Sequence, residues 1–287
     1  MGNNIKDLRR RIRSVKSTQQ ITRAMKLVAA SKLRRAQEDM QRFRPYAAGM
    51  RQVVASVASR AGADAHPLLE HRGGGKVLLV VVTGDRGLAG SFNANVLRAA
   101  MNYLAENAGR DVTVELVGRK ARDFFRKRRW PIRAAHADVF RKMSFESSRV
   151  VSQGLVTAFL SEGFNEVIVI SNRFKTVMSQ DLVIDRILPV GIAAAAEDAP
   201  SIEYLYEPDP ATLLAHVIPA SVDITVHQAL LESNASEHGA RMVAMENATR
   251  NAGEMIERLT LVLNRTRQAA ITTEIIEIVS GAAALGA

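Results

Sequence analysis

The feature that most constrains this chain is an apolar seam along its first sixty residues. From Ile5 to Val57, taking every third and fourth residue in turn, thirteen of sixteen positions are apolar, and the only proline in this stretch is Pro45. Unbroken heptad spacing is typical of a helix that packs along another helix in a coiled coil. The sequence therefore predicts a long N-terminal helix that needs a helical partner.

The seam falters over one short stretch, at Gln19, Thr22 and Lys26. In the same stretch apolar residues move to a neighbouring face of the helix; they are Ile21, Met25 and Val28. Side chains three and four residues apart share a face of a helix. The shift therefore predicts a second apolar face that is turned away from the helical partner.

The C-terminal segment repeats the pattern. Apolar residues follow a heptad rhythm from Leu231 to Leu263, interrupted at His238 and Thr249, and an offset apolar stripe runs from Ile271 to Leu285. No proline interrupts residues 221–285, so we expect one helix over this range. Its last residues carry no charge, which is unusual at the end of a chain.

Charge is distributed unevenly between the two ends of the chain. Residues 1–60 carry a net charge of +12, residues 61–207 carry +2, and residues 208–287 carry −4. Opposite charges favour antiparallel pairing of the two terminal segments within one chain, although periodicity alone leaves a homodimeric coiled coil open. The predicted division is an N-terminal coiled-coil helix (1–60), a central domain (61–207) and a C-terminal coiled-coil helix (208–287).

The central domain alternates strand-like and helix-like segments. Buried strands are predicted at Val77–Val82, "DVTVELVG", "NEVIVISN" and "QDLVIDRILPV", and helices near Phe92, at Lys120–Arg129 and at Phe145–Gly163. Such alternation indicates a parallel sheet covered by helices. The predicted fold class is α/β, with a long antiparallel coiled coil of the terminal helices and a Rossmann-like α/β domain.

One glycine-rich loop resembles a phosphate-binding turn. "GDRGLAGS" follows the first predicted strand and precedes a helix, as phosphate-binding loops do. However, Gly84, Gly87 and Gly90 are spaced three apart, and no lysine precedes the serine. We favour a tight turn over a nucleotide site, and an enzyme that uses this loop is a weaker hypothesis.

No other constellation predicts catalysis, a metal or a cofactor. The chain has no cysteine, which excludes disulfides and thiolate sites, and its six histidines lack metal-ligand spacing. It also lacks a run of about 18 apolar residues and an apolar N-terminal signal, so we expect neither a membrane span nor export.

An alternative function is suggested by basic residues. The N-terminal segment and the run Arg119–Arg133, which includes Phe124, Phe125 and Trp130, could belong to a basic coiled-coil protein that binds nucleic acid. A solvated helix face is the more ordinary interpretation of that run.

Five segments resemble one family, the gamma subunits of F-type ATP synthases. They are Ile12–Gln37 ("IRSVKSTQQITRAMKLVAASKLRRAQ"), Thr83–Asn93 ("TGDRGLAGSFN"), Asn172–Gln180 ("NRFKTVMSQ"), Ala235–Ile256 ("ASEHGARMVAMENATRNAGEMI") and Leu263–Leu285 ("LNRTRQAAITTEIIEIVSGAAAL"). The resemblance extends over essentially the whole chain, and its C-terminal block is highly specific.

This resemblance implies a rotor shaft without an active site or cofactor of its own. The paired helices would enter a hexamer of alpha and beta subunits, and the α/β domain would lie near the c ring and the epsilon subunit. The shaft would transmit torque between the c ring and the beta-subunit sites. The family further implies a peripheral protein that reaches the membrane only through the complex, with no nucleic-acid partner. Because the sequence shows no transit peptide, we expect this to be the cytoplasmic face of a bacterial inner membrane.

The resemblance also implies roles for individual residues. Beta-subunit contacts would be made by Arg23, Met25, Lys26, Arg267 and Gln268. An apolar bearing at the tip of the shaft would comprise Ile278, Val279, Ala282, Ala283 and Leu285. Tyr206 and Glu207 would belong to the foot that meets the c ring and epsilon.

Overall fold

The computed structural model describes residues 2–61, 66–191 and 209–285. Its elements are α1 (Gly2–Ala61), β1 (Lys76–Val82), α2 (Phe92–Glu106), β2 (Asp111–Val117), α3 (Arg119–Phe125), β3 (Ile132–His136), a 3-10 turn (Val139–Lys142), α4 (Phe145–Ser161), β4 (Glu166–Phe174), β5 (Gln180–Leu188) and α5 (Pro210–Leu285). They divide into two compact units. The helix-pair unit contains the residues up to Ala29 and those from Met242 onward, and the sheet unit is Ala30–Arg241.

The helix α5 begins eleven residues earlier than the predicted start at residue 221. Its first turn is capped by Asp209, whose Oδ1 accepts a hydrogen bond from the Thr212 amide at 2.9 Å. Pro210 occupies the first helical position, where proline costs no hydrogen bond because that amide has no helical partner. Pro219 lies inside the helix, and its neighbour Ile218 is fully buried in the core. Packing therefore carries the helix through a residue that normally interrupts one.

The sheet has five strands in the order β3-β2-β1-β4-β5. The strands from β1 to β4 run parallel, as predicted, but β5 is antiparallel to β4. Only five residues separate β4 from β5, and the Thr176 amide donates to the Ser179 carbonyl at 2.9 Å in a tight turn. A parallel neighbour would need a crossover of a dozen residues or more. The prediction of a wholly parallel sheet is therefore wrong at this strand.

The strand β3 was not among the predicted elements. The helix predicted over Lys120–Arg129 is shorter, because α3 ends at Phe125 and the chain then turns towards Ile132. The Pro131 carbonyl accepts a hydrogen bond from the Val114 amide of β2 at 2.9 Å, which leads the chain into the edge of the sheet.

The sheet unit has a core on each side of the sheet. One core packs β1 and β4 against α1, α4 and α5, and its buried members include Leu78, Leu155, Phe159, Leu214 and Ile218. The other packs the opposite face against α2 and α3, with Val77, Leu79, Leu104 and Phe125. Both faces of the central strands are thus buried, which explains their continuous apolar sequences.

One stretch of α5 is apolar enough to cross a membrane, judged by length and composition alone. Within Thr212–Ala283 an 18-residue window reaches a mean hydropathy of 1.2, and 44% of that window is buried inside the protein. A partly buried window of this kind is also typical of a core helix. The sequence-based expectation of no membrane span rests on the lack of an unbroken run of about 18 apolar residues, which is a stricter test than this window.

Candidate functional site on the paired terminal helices

Within the helix-pair unit the two terminal helices run antiparallel. Lys26 Nζ contacts Glu246 Oε1 at 2.8 Å, Thr249 Oγ1 donates to Thr22 Oγ1 at 2.8 Å, and Gln19 Nε2 donates to the Thr249 carbonyl at 3.4 Å. As the residue number falls along α1, the number of the residue it contacts in α5 rises, which is the pattern of an antiparallel pair. The prediction that the ends of the chain pair with each other is confirmed.

These contacts explain the gap in the N-terminal seam. Thr22 is buried, and both Thr22 and Gln19 contact Thr249, the residue that interrupts the C-terminal rhythm, while Lys26 contacts Glu246. At Gly253 an added Cβ would lie 3.1 Å from Gln19 Nε2, so the glycine lets the two helices approach closely at this level. The two interruptions in the sequence are therefore opposite each other, a match that sequence reasoning missed.

The outward face of α1 at this level is apolar. Ile21 is 57% exposed, and Leu27 and Val28 are also exposed, while Met25 is half-buried. Arg23 is exposed on the same turn of helix. An exposed apolar patch rimmed by a cation is typical of a surface that contacts another protein.

Lys26 differs from its neighbours because its ammonium group is engaged within the pair. The hydrogen bond from Lys26 holds the pKa of Glu246 below its ordinary value. Of the residues predicted to meet a beta subunit, Lys26 is thus the one with an internal partner in the helix-pair unit.

The last turns of α5 expose their apolar residues. Ile278 is 71% exposed and Val279 is 62% exposed, and Ala282 and Ala283 are exposed as well. From Ile271 to Ala283 no residue is buried. Leu285 ends the helix, and its side chain lies outside the described part of the chain.

Arg267 and Gln268 precede this tip on the surface of α5. Both side chains are exposed, and neither makes a side-chain hydrogen bond or ion pair among residues 2–61, 66–191 and 209–285. Their donors are therefore free to meet another molecule. Tyr206 and Glu207, predicted for the foot, lie outside the described residues.

The glycine-rich loop packs against α5 in the sheet unit. An added Cβ at Gly84 would lie 2.5 Å from Glu237 Oε1, so any other residue here would force the buried Glu237 side chain to move. Arg241 Nη2 donates to Glu237 Oε1 at 2.5 Å and to the Gly87 carbonyl at 3.4 Å. The Gly84 amide donates to Asn93 Oδ1 at 2.9 Å. The glycines thus fit the loop to the helix, as the tight-turn interpretation predicts.

Glu237 and Arg241 were not predicted as important, although their spacing carried a signal. Glutamate four residues before arginine is a favourable pair on a helix, and here both side chains are buried. His238 lies beside them, with its Nδ1 3.3 Å from Arg241 Nη1. Burial, together with the positive charges of Arg241 and Lys32, lowers the pKa of His238 to about 4.

The basic run Arg119–Arg133 is partly neutralised by the sheet unit itself. Arg119 Nη2 pairs with Asp138 at 2.6 Å, and Arg133 Nη1 pairs with the fully buried Glu115 at 2.7 Å. Phe125 is buried in the core. These residues hold the fold together and leave only the middle of the run for another partner. No group of histidine and carboxylate residues suited to a metal ion occurs among the residues the structure describes.

The chain has close relatives among known proteins. A family model described as ATP synthase matches residues 4–285. The ATP synthase gamma chain of Geobacter sp. (strain M21) is 46% identical over 280 residues, covering 97% of each chain. That of Anaeromyxobacter sp. (strain Fw109-5) is 48% identical over 287 residues, covering 98% of this chain and 99% of its own.

Solved structures show the same fold. The rotor of the Euglena gracilis mitochondrial ATP synthase matches with a TM-score of 0.69 and 22% identity, over 94% of this chain and 100% of that chain. The central stalk of the Tetrahymena thermophila mitochondrial ATP synthase with its c ring matches with a TM-score of 0.61 and 24% identity, over 79% of this chain and 99% of that chain.

The fold, the exposed helix pair and these matches define a stalk subunit of a rotary ATPase. The chain belongs to the gamma chain family of the ATP synthases. The predictions of family, fold class and a non-catalytic subunit of this membrane-associated complex are confirmed. The relatives give no support to the nucleic-acid-binding alternative.

Proposed function

We propose that this chain is the central rotor shaft of a proton-translocating ATP synthase. It transmits torque between the c ring and a hexamer of alpha and beta subunits, and thereby drives the beta-subunit sites through successive nucleotide affinities. The epsilon subunit binds near its α/β domain. The complex holds it as a peripheral protein on the cytoplasmic face of the bacterial inner membrane. The division at residues 1–60, 61–207 and 208–287 belongs to this proposal.

The observation that carries the proposal is the uncharged, exposed tip of α5. A turning shaft would have to break each fixed polar bond at every step, and a hydrogen bond to a charged group contributes roughly 1.5–3 kcal/mol. Dispersion contacts contribute only about 0.1–0.2 kcal/mol per atom pair and have no preferred direction. The exposed apolar surface of Ile278, Val279, Ala282 and Ala283 therefore suits a bearing that turns inside an apolar sleeve, and Leu285 is assigned to this bearing by the family motif alone.

The face around Arg23 suits contact with the beta subunits. Ile21, Leu27 and Val28 supply exposed apolar area beside Arg23, so that torque passes by steric contact and by attraction to an acidic lever. Met25 contributes from the edge of this face, since it is half-buried. The ammonium of Lys26 can reach a beta subunit only in competition with Glu246. We therefore expect Lys26 to contribute less than Arg23 to the contact with the beta subunits.

Arg267 and Gln268 form a second, polar contact with a beta subunit in this proposal. Exposed donors at this point of α5 can engage a loop in one rotary position and release it in the next. Tyr206 and Glu207 are proposed to meet the polar loops of the c ring, on the strength of the family motif alone.

Reconstitution tests the function. Mixed with alpha and beta subunits of a close relative, the full chain should form a complex whose ATPase activity depends on its presence. The chain alone should hydrolyse no ATP. Hydrolysis by the purified chain, or failure to join alpha and beta, would contradict the proposal.

A further inference from the structure

The turn between α3 and β3 carries four consecutive cations, Arg126, Lys127, Arg128 and Arg129, which are all exposed. Only Arg128 is held, because its guanidinium lies 3.4 Å from the centre of the Phe124 ring and its Nη1 donates to the Phe124 carbonyl at 2.9 Å. The other three make no side-chain hydrogen bond or ion pair within the described ranges. The turn is therefore a compact patch of unneutralised positive charge.

Other arginines near this edge of the sheet are neutralised. Arg110 pairs with Glu166 at 2.8 Å, and Arg133 pairs with both Glu115 and Glu162 at 2.7 Å. Glu115, Glu162 and Glu166 are thus committed to other arginines. Like charges that are crowded on one turn repel one another. Binding to an external anionic surface would therefore reduce an electrostatic repulsion that the folded chain does not neutralise itself.

The turn lies at a defined end of the sheet unit. It leads into β3, so it sits at the edge from which the parallel strands begin. The opposite edge carries the loop Gly84–Gly90, which Arg241 contacts through the Gly87 carbonyl. In the proposed function the α/β domain lies beside the membrane-embedded c ring, which brings the surface of this unit close to lipid headgroups.

The base of the turn is anchored. Trp130 is half-buried and packs, with Phe124, against the core formed by α2, α3 and the sheet. This holds the backbone while the long side chains of Arg126, Lys127 and Arg129 remain free to reach outward. Arginine and lysine side chains of this kind place their charges at a lipid headgroup layer while their stems stay near the protein.

We propose that the turn Arg126–Arg129 is a membrane-facing surface that binds anionic phospholipid headgroups directly. This inference rests on the proposed function. It adds a direct contact with lipid to the attachment to the membrane that the other subunits of the complex provide. A rotating foot favours such a partner, because a fluid headgroup layer offers attraction without fixed positions. Specific bonds to a stationary protein would have to break at every step.

The test uses the purified full chain and vesicles. Binding is measured by flotation with vesicles of equimolar phosphatidylcholine and phosphatidylglycerol, and with phosphatidylcholine vesicles for comparison. The variant Arg126→Gln/Lys127→Gln/Arg129→Gln removes three charges and leaves Arg128 in place on Phe124. Each basic residue near an anionic surface contributes roughly fivefold in affinity, so the variant should bind roughly a hundredfold more weakly.

A matched variant controls for net charge. Arg9, Arg13 and Lys16 of α1 are exposed and have no side-chain partner among the described residues, and replacing all three by Gln also removes three charges. This control should keep most of the affinity of the original chain. Equal losses in the two variants would reduce the effect to net charge and overturn the proposal, as would a turn variant that binds undiminished.

Two further readouts separate the possible failures. The turn variant should still assemble with alpha and beta into an active ATPase and keep its circular dichroism spectrum. If it assembles but retains vesicle binding, the lipid contact is wrong and the rotor function stands. If duplex DNA binding falls more than vesicle binding, the turn recognises nucleic acid instead and the lipid proposal is refuted.

Discussion

The hydrogen bond between Thr22 and Thr249 gives a sharp test of how the terminal helices pair. Thr249 Oγ1 lies 2.8 Å from Thr22 Oγ1 and 2.7 Å from the Met245 carbonyl, and Thr22 Oγ1 lies 3.0 Å from the Gln19 carbonyl. Each hydroxyl has one proton, so these contacts include a single bond between the helices. Valine has nearly the same shape as threonine and lacks this bond.

The expected energies follow from burial. A single Thr→Val change removes the bond between the helices, while the other hydroxyl keeps its carbonyl partner in its own helix, so the cost should be about 1 kcal/mol, the net contribution of a typical hydrogen bond. Replacing both leaves two apolar side chains of the right shape and should be nearly neutral. We therefore expect Thr22→Val and Thr249→Val each to destabilise the chain, with a coupling energy of about 1 kcal/mol between them.

Urea unfolding followed by helical circular dichroism measures the four free energies of this cycle. Thr260→Val is the control, because Thr260 Oγ1 donates only to the Ile256 carbonyl of its own helix, and it should change stability by less than about 0.5 kcal/mol. Strictly additive single changes would mean that Thr22 and Thr249 do not face each other. The register of the helix pair would then be wrong.

Three further changes have defined outcomes. Gly84→Ala should lower the free energy of unfolding by about 1–3 kcal/mol in a urea titration, since the new methyl group meets the buried carboxylate of Glu237. Gly87→Ala is the control and should be nearly neutral, because the atom nearest to its added Cβ is Lys120 Cε at 3.7 Å. Because burial lowers the pKa of His238 from 6.5 to about 4, the unfolded chain binds the proton first, and stability should fall by roughly 2–3 kcal/mol as pH drops from 6.5 to 4. His238→Gln should flatten this fall in the thermal midpoint, and His216→Gln, at an exposed position, should leave it unchanged. Ala283→Glu should reduce the ATPase activity of the assembled complex severalfold more than Ala283→Ser, and equal activities would argue against an apolar bearing.

Much of this architecture is readable from periodicity. Heptad spacing from Ile5 to Val57 predicts α1, and opposite net charges at the two ends predict that it pairs with α5. These signals work because a long apolar seam has few ways to leave water. Continuous apolar strands such as Val77–Val82 likewise predict a buried central strand, which the structure contains as β1.

Other features depend on contacts that no single segment reveals. The helix α5 passes through Pro219 because the flanking turns are buried, and β5 reverses because its connection is short. In the sequence, His238 and Thr249 only interrupt the apolar stripe of the C-terminal segment. In the structure each makes a polar contact, His238 with Arg241 and Thr249 with Thr22, and the stripe alone does not reveal these partners.

Rotation of the chain inside the hexamer tests the central claim most directly. The sequence has no cysteine, so Met178→Cys, at a position that is 85% exposed in the turn between β4 and β5, gives one site for attaching a bead. With alpha and beta subunits fixed to a surface, the bead should turn in one direction when ATP is added and stop when ATP is removed. A complex that hydrolyses ATP at full rate while a firmly attached bead stays still would contradict the rotor function.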